Sequence, residues 1–170
     1  DWEINNNRDP SVPDYQVSVG DWGVTCIVDE SGSSCFEDVP GYAKPRQISS
    51  GSQHYCALSD SGVICKLTDG ADYGQQVVPL LNNPTEISSG DYHTCAIDDS
   101  GVVCWGYNYA GQNDVPSLSN PRQVSAGGIH TCAIDDSGVV CWGGNGNGQS
   151  TVPMLSNPRQ ISAGDSHTCA

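Results

Sequence analysis

Short runs of alternating apolar and polar residues recur along this chain, separated by clusters of Gly, Pro, Asn, Asp and Ser. In one such unit, residues 122–126 predict a first strand, residues 130–134 a second and residues 139–142 a third. The sequence Asp-Asp-Ser-Gly at 135–138 is typical of a tight turn in which the glycine adopts a positive φ. A Gly/Asn-rich outer loop follows, and a short fourth strand is predicted before Val152-Pro153.

This unit is one copy of a repeat of about 37 residues. Two copies are 37 residues long and share the motif in full, one is looser, one is shortened, and a half copy lies at each end of the chain. An array of four-stranded units of this length predicts an all-β fold, a β-propeller in which four whole blades and two half blades pack around an axis. The predicted boundaries are 1–13, 14–44, 45–83, 84–120, 121–157 and 158–170.

The two half copies leave two arrangements open. Residues 1–13 align with 141–153, and residues 158–170 align with 121–133. The chain is either a segment of a longer array, or its two halves combine into one blade and close a ring of five. Asp1 stands where the partner cysteine would be, so closure would leave Cys169 unpaired. We therefore favour the segment of a longer array.

Nine cysteines in 170 residues are a high proportion, and eight of them form pairs spaced nine residues apart. Disulfides are favoured over metal ligation, because no Cys-x2-Cys pair is present and this gap is not that of a zinc knuckle. A two-residue turn would place the members of a pair opposite each other, whereas a bulge at Gly138 would spoil that pairing. One disulfide per blade predicts an oxidising compartment, with the protein secreted or at the cell surface. The pairs are Cys26/Cys35, Cys56/Cys65, Cys95/Cys104 and Cys132/Cys141.

The charge narrows the classes of partner. Six Lys and Arg stand against 20 Asp and Glu, a formal charge of −14, which excludes nucleic acid as the expected partner and favours a basic one. Gly and Pro number 20 and 10, as expected for a turn-rich all-β chain. No apolar run approaches the length of a membrane-spanning helix, so membrane insertion is not expected.

The motif S-A-G-x-x-H-T-C-A-I-x-x-S-G-V-V-C-W-G-x-N-x-x-G-Q, followed by Val-Pro, recurs in the two best copies. It resembles the repeat of the regulator of chromosome condensation family, most closely that of the bacterial extracellular branch, which includes the propeller-type β-lactamase inhibitor protein. The resemblance covers nearly the whole chain and implies a β-propeller, typically of seven blades. Phe36 and Lys66 replace the motif tryptophan, and Val24 replaces the histidine. The cysteine spacing and the acidic charge argue against the chromatin-associated role of the founding members.

No residue pattern points to catalysis. One histidine recurs in nearly every copy, which favours a packing and hydrogen-bonding role, since a catalytic group belongs to a single constellation. No G-x-S-x-G motif is present. The acidic pairs Asp98-Asp99 and Asp135-Asp136 are interpreted as turn residues, because no D-x-D-x-D-G calcium loop occurs. We expect no enzyme activity, no cofactor and no metal site. The histidines are His54, His93, His130 and His167.

Candidate binding residues lie at positions where the amino acid differs between copies although the spacing of the repeat is the same. The first set follows the repeat glycine, in the connection between the first and second strands, and every blade presents this connection on the same face. Aromatic residues there suit an interface, although covering a neighbouring blade would explain them equally. In the inhibitor that the chain resembles, partner-contacting aromatics fall at this connection. The second set lies in the outer loop, with Tyr73 as a further candidate. The predicted partner-binding residues are Asp21, Trp22, Gln53, Asp91, Tyr92, Ile129, Asp165, Tyr107 and Tyr109.

These features predict a non-catalytic extracellular recognition module that binds another protein through loops on one propeller face. Two alternatives stay open. The chain is a structural repeat segment of a cell-surface or appendage assembly, in which incomplete terminal blades self-associate. Or it is a glycan-binding module, in which Trp22 and Tyr92 stack on sugars.

Overall fold

The structure, a computed structural model, describes residues 16–19, 25–29, 32–35, 45–68 and 70–170, with Ser18 the one side chain described before residue 45. This part of the chain forms four three-stranded sheets and one two-stranded sheet. Within it, no helix has the length and apolarity needed to cross a bilayer. The strands are β1 (Gln16–Val19), β2 (Thr25–Asp29), β3 (Gly32–Cys35), β4 (Gln47–Ser50), β5 (His54–Ser59), β6 (Gly62–Leu67), β7 (Glu86–Ser89), β8 (His93–Asp98), β9 (Gly101–Gly106), β10 (Gln123–Ala126), β11 (His130–Asp135), β12 (Gly138–Gly143), β13 (Ser162–Ala163) and β14 (Thr168–Cys169).

The first strand of each sheet lies at the centre of the molecule. Strands pair antiparallel in chain order, so β5 lies between β4 and β6, β8 between β7 and β9, and β11 between β10 and β12. The first strands β1, β4, β7, β10 and β13 contact one another in succession from sheet to sheet. Consecutive sheets are therefore arranged side by side as propeller blades, which confirms the predicted fold class.

Each described hairpin has the two-residue turn that the disulfide prediction requires. Asp135 pairs with Gly138, which leaves two residues in the turn and brings Cys132 opposite Cys141. Gly138 has a φ of 124°, a conformation that suits glycine, and the register continues past it without a bulge. The disulfides Cys56–Cys65, Cys95–Cys104 and Cys132–Cys141 are confirmed, with Cα–Cα distances of 4.0–4.1 Å.

Two cysteine positions differ from this pattern. In the backbone register of β2 and β3, Cys26 lies opposite Cys35, but the side chains of this predicted pair lie outside the described residues. Cys169 is a free thiol and is exposed.

The predicted fourth strand of each blade is wrong for the copies that the structure describes. Residues 77–81, 114–118 and 151–155 follow the outer loops without joining a sheet. Proline in each Val-Pro pair has no N–H to donate to a ladder. The preceding N–H groups donate within their own loop instead, from Asp114 to the Gly111 carbonyl at 3.1 Å and from Thr151 to that of Gly148 at 3.0 Å.

Side chains of the first strands connect neighbouring blades through backbone groups. Gln47 donates from Nε2 to the Ile87 carbonyl and accepts from the Ile87 N–H, both at 2.9 Å. Gln123 makes the same pair of bonds to Ile161, at 3.2 and 2.9 Å. A second series uses serine hydroxyls, each of which accepts from a backbone N–H of the next blade. The serine pairs are Ser18 with Ser50, Ser49 with Ser89, Ser88 with Ala126 and Ser125 with Ala163.

Glu86 occupies the glutamine position in the intervening blade. Its carboxyl group accepts from the Val124 N–H, and burial raises its pKa from 4.5 to about 7. An ionised carboxylate has no hydrogen to donate to the Val124 carbonyl, whereas Gln47 and Gln123 each donate to the equivalent group. Glu86 therefore matches its glutamine counterparts only when it is protonated.

We expect Glu86→Gln to stabilise the protein at pH 8 by roughly 1–3 kcal/mol, less than the full value of the pKa shift because the carboxyl is only partly buried. The raised folded-state pKa means that the wild-type group favours folding below pH 4.5 and loses that contribution as pH rises through about 7. Urea unfolding should therefore show a gain at pH 8 that disappears near pH 4.5. A gain that does not change with pH would contradict this account.

Buried histidines form a second connection between blades. Nε2 of His93 lies 2.8 Å from Oγ1 of Thr131 in the next blade, and His130 is paired in the same way with Thr168 at 2.9 Å. Because the Thr131 hydroxyl donates to the Gln112 carbonyl, it accepts from His93, which places the ring hydrogen on Nε2. His54 lies 2.7 Å from the Thr94 hydroxyl. The predicted structural role is confirmed for His54, His93 and His130, whereas His167, in the last copy, is exposed.

The motif tryptophan and the Gly-Gln pair also contact each other across blades. The Trp142 indole N–H donates to the Gln112 carbonyl, and the Trp105 indole donates to that of Gln75, both at 2.9 Å. Each tryptophan thus fastens the outer loop of the preceding blade. Gln112 is fully buried, and its Oε1 accepts from the Ala110 N–H at 2.9 Å, which fixes the loop conformation.

Candidate functional site

The acidic pairs in the hairpin turns are structural. Asp135 is 2% exposed, its Oδ1 accepts from the backbone and hydroxyl of Ser137, and its Oδ2 accepts from the Ser119 N–H. Burial by itself would raise the pKa of Asp135, but these hydrogen bonds hold it below its ordinary 3.8. The turn thereby fastens the linker that enters the blade. Asp136 accepts from the Asn120 amide at 2.6 Å.

The copy before it repeats this arrangement. Asp98 accepts from Ser100 and from the Asn82 N–H, and the Asn83 amide donates to Asp99. Both Asp98 oxygens are therefore occupied by protein donors and do not point at an open cation site. No group of three or more His, Cys, Asp or Glu side chains suited to a metal occurs in the part of the chain that the structure describes.

The two predicted sets of binding residues, in the connection and in the outer loop, lie next to each other in each whole blade that the structure describes. The residue that follows the third strand donates its N–H to the carbonyl of the connection, from Thr68 to Gln53 at 3.0 Å and from Tyr107 to Tyr92 at 2.9 Å. The equivalent bond from Gly144 to Ile129 measures 2.7 Å. The connection and the start of the outer loop therefore lie side by side at one end of the strands, which we call the connection face.

Four of the seven tyrosines of the chain form one cluster on this face. The ring centroids of Tyr73 and Tyr107 are 4.8 Å apart, those of Tyr73 and Tyr92 5.7 Å, and those of Tyr92 and Tyr107 6.1 Å. The Tyr109 ring lies 6.2 Å from that of Tyr107 and is nearly parallel to it. Tyr73 belongs to the preceding blade, so the cluster spans a blade boundary. We call Tyr73, Tyr92, Tyr107 and Tyr109 the tyrosine platform.

The tyrosine platform is accessible to a partner. Tyr109 is 86% exposed and Tyr73 is 46% exposed, whereas Tyr92 and Tyr107 are half-buried beneath them. Tyrosine side chains of this kind supply large, rigid contact surfaces with a polar tip. In the next blade, Gly144 and Gly146 replace Tyr107 and Tyr109, and Ile129 replaces Tyr92 with 40% exposure.

The other predicted residues take different positions. Asp91 and Asp165 lie near the central first strands, where an oxygen of each would approach a side chain built on Gly128. The Gln53 side chain lies against Gly70. Asp21 and Trp22 lie outside the described residues. Asp114, which belongs to the variable outer loop, flanks the tyrosine platform and accepts from the Asn108 amide at 2.8 Å.

Charge is distributed unevenly between the two ends of the strands. The hairpin turns lie at the opposite end from the connection face, and there Arg46 forms an ion pair with Asp60 at 3.1 Å. Arg122 at the same end donates to the Asp135 carbonyl. Among the described cations, Lys66 is near the connection face, because it pairs with Tyr55 close to the start of β5.

A comparison with protein families matches residues 85–112 and 122–149 to the regulator of chromosome condensation (RCC1) repeat. The two matches begin 37 residues apart, the same interval as the sheets that contain β8 and β11. Both end at the buried glutamine, Gln112 or Gln149, whose backbone carbonyl accepts from the next blade. No curated protein sequence matches the chain.

Several solved structures share the fold of this chain. The CRINKLY WD40 ectodomain of the Arabidopsis thaliana receptor kinase ACR4 is 26% identical, covers 95% of this chain and 61% of its own, and has a TM-score of 0.70. The ectodomain of the Physcomitrella patens receptor kinase CR4 is 24% identical over 92% of this chain and 47% of its own, also at 0.70. Prp20p from Saccharomyces cerevisiae is 16% identical over 90% of this chain and 54% of its own, at 0.71. The chain thus spans about half to three-fifths of the length of these proteins.

Proposed function

We propose that this chain is a non-catalytic extracellular recognition module that binds another protein through the connection face. The tyrosine platform carries the proposal, because four tyrosines from two blades contact one another and leave Tyr109 almost fully exposed. Buried packing alone would not require an aromatic ring at that exposed position, and the next blade keeps the same sheet with Gly146 there.

The comparisons support recognition in general terms. RCC1-like propellers often mediate protein interactions, and the structure of Prp20p was described together with its binding to Gsp1p and histones. Two of the similar structures are receptor-kinase ectodomains. The disulfides indicate an oxidising compartment, and from this we propose that the protein is secreted or lies at the cell surface.

The double variant Tyr107→Gly/Tyr109→Gly tests the proposal. It gives this blade the two residues that Gly144 and Gly146 supply in the next, so the sheet is expected to be retained. Ligands selected on the wild-type protein from a displayed library of protein domains should bind the purified variant at least about tenfold more weakly, as expected when interface tyrosines are lost. Calorimetry measures the affinities, and thermal unfolding checks the fold.

Asp60→Asn is the matched control, because this exposed residue lies at the opposite end of the strands. It should leave affinity unchanged. If the selected ligands bind both variants as tightly as the wild type, the connection face is not the binding surface. Tyrosine-dependent signals on a glycan array, without any from protein ligands, would replace this proposal with the glycan-binding alternative.

A further inference from the structure

Two exposed carboxylates, those of Asp72 and Asp114, flank the tyrosine platform. Asp72 precedes Tyr73 and is fully exposed, and its carboxylate accepts from the Gly74 N–H at 2.8 Å and from the Gln76 amide at 2.9 Å. Asp114 is exposed in the loop that carries Tyr109. Among the described cations, Lys66 lies near this face, whereas Arg46 and Arg122 lie at the far end of six-residue strands, about 20 Å away.

The packing of the rings limits what the platform accommodates. Centroid separations of 4.8–6.1 Å among Tyr73, Tyr92 and Tyr107 mean that these rings already fill the space between them. The rings therefore leave no space between them for an ammonium group. A planar guanidinium, by contrast, stacks on an exposed ring face while its N–H groups reach neighbouring carboxylates.

The polar side chains of the outer loop are largely committed to the loop itself. The Asn108 amide donates to Asp114, and its carbonyl oxygen accepts from the Asn113 N–H at 2.8 Å. The Asn113 amide donates to the Gly106 carbonyl at 3.0 Å. Sugar hydroxyls would have to compete with these bonds, whereas a cation adds to the free lone pairs of the carboxylates.

We propose that the tyrosine platform, together with Asp72 and Asp114, binds an arginine-bearing cationic segment of a protein partner. This inference rests on the proposed function and names the chemistry of its partner. The guanidinium stacks on the exposed rings of Tyr109 and Tyr73, and the flanking carboxylates supply the charge complement.

Binding of two labelled peptides of equal length and composition, except that one carries arginines and the other lysines, tests the inference by fluorescence anisotropy. At an ionic strength of about 0.15 M the wild-type protein should bind the arginine peptide at least about fivefold more tightly than the lysine peptide. Tyr107→Gly/Tyr109→Gly should abolish this preference.

The double variant Asp72→Asn/Asp114→Thr tests the contribution of the two carboxylates to peptide binding. Threonine already serves at the equivalent position, where Asn145 donates to Thr151 at 3.0 Å, so the loop hydrogen bond is kept. This variant should lower the affinity for both peptides by at least about fivefold and reduce the salt dependence of binding. Asp60→Asn should change neither the affinity nor its salt dependence.

Equal affinity for the two peptides, or an arginine preference that survives loss of the two tyrosines, would overturn this inference. Failure of this inference can be distinguished from failure of the proposed function. If library-selected ligands still need the tyrosines but are neutral or acidic, protein recognition stands and the cationic partner does not. If no ligand of any kind depends on the tyrosines, both proposals fall.

Discussion

Gly90→Ala is expected to destabilise the protein by about 3 kcal/mol or more. Gly90 ends the first strand of its blade beside the centre of the propeller, and a methyl group there would overlap the carbonyl oxygen of Gly127 in the next blade. The same methyl would lie 2.8 Å from Cε1 of His93, a fully buried ring held by Thr131. Neither obstacle is the end of a flexible chain, so relief requires the blades to separate.

Gly146→Ala is the matched control. No atom lies within 4 Å of a methyl group at this position, and Gly146 is not among the glycines with positive φ. Its effect should stay within about 0.5 kcal/mol. Urea unfolding monitored by tryptophan fluorescence gives both values. Equal stability of the two variants would mean that the blades do not approach each other as closely at Gly90 as the structure shows.

The hairpins and disulfides could be predicted from the sequence because both depend on local spacing. A nine-residue interval around a Gly-containing turn fixes which residues face each other, and the register of Cys95 and Cys104 follows from it. The fourth strand could not be predicted in the same way. Its apolar residues resemble those of a strand, but Pro116 lacks a donor, and the Val115 N–H bonds to the Asn113 carbonyl at 2.9 Å.

The motif tryptophan and the Gly-Gln pair are lost together, and this correlation in the sequence was not used to predict their contact. Each motif tryptophan donates to the Gly-Gln pair of the preceding copy, as Trp105 does to Gln75. Copy 14–44 has no Gly-Gln pair, and Lys66 replaces tryptophan in the copy after it. Residues 1–13 also lack the pair, and Phe36 follows in the next copy. The two losses therefore occur together, as expected if the indole depends on the loop conformation that the Gly-Gln pair adopts in the described copies.

The tyrosine platform could be predicted only in part. Variation between aligned copies identified Tyr92 in the connection, and Tyr107 and Tyr109 in the outer loop, as candidate binding residues. Their contact with Tyr73 depends on the distance and angle between two blades, which a repeat alignment does not contain. The burial of Asp135 was missed for the same reason, because its acceptor role depends on the linker that returns from the preceding copy.

Acidification is expected to destabilise the protein through its buried histidines. Burial lowers the pKa of His54 from 6.5 to about 4 and that of His93 to about 3, with the charges of His54 and His130 adding to the effect at His93. The cause is visible in the structure, since Nε2 of each ring is paired with a threonine hydroxyl while Nδ1 is buried without a partner. A proton at Nδ1 would have no acceptor there.

The sign of the effect follows from these pKa values. Above pH 6.5 the histidines are neutral in both the folded and the unfolded states, so stability is at its full value. As pH falls below 6.5, the histidines of the unfolded chain become protonated while the buried rings of the folded protein stay neutral. At pH 4 the free energy of unfolding has fallen by about 3 kcal/mol for each of these histidines. Asp98 and Asp135 do not confuse this window, because their pKa values lie below 3.8.

Glu86 acts in the opposite direction over the same range, so the measurement belongs in the Glu86→Gln background. There the free energy of unfolding, from urea titrations between pH 7.5 and 4, should fall with a slope near pH 5 of about 1.4 kcal/mol per pH unit for each buried histidine. Adding His93→Gln, which keeps an N–H for Thr131, should remove one histidine's share of that slope whatever it does to stability at pH 7.5. A slope that His93→Gln leaves unchanged would mean that another group takes up the protons, and that the ring of His93 is not excluded from water as its place between two blades requires.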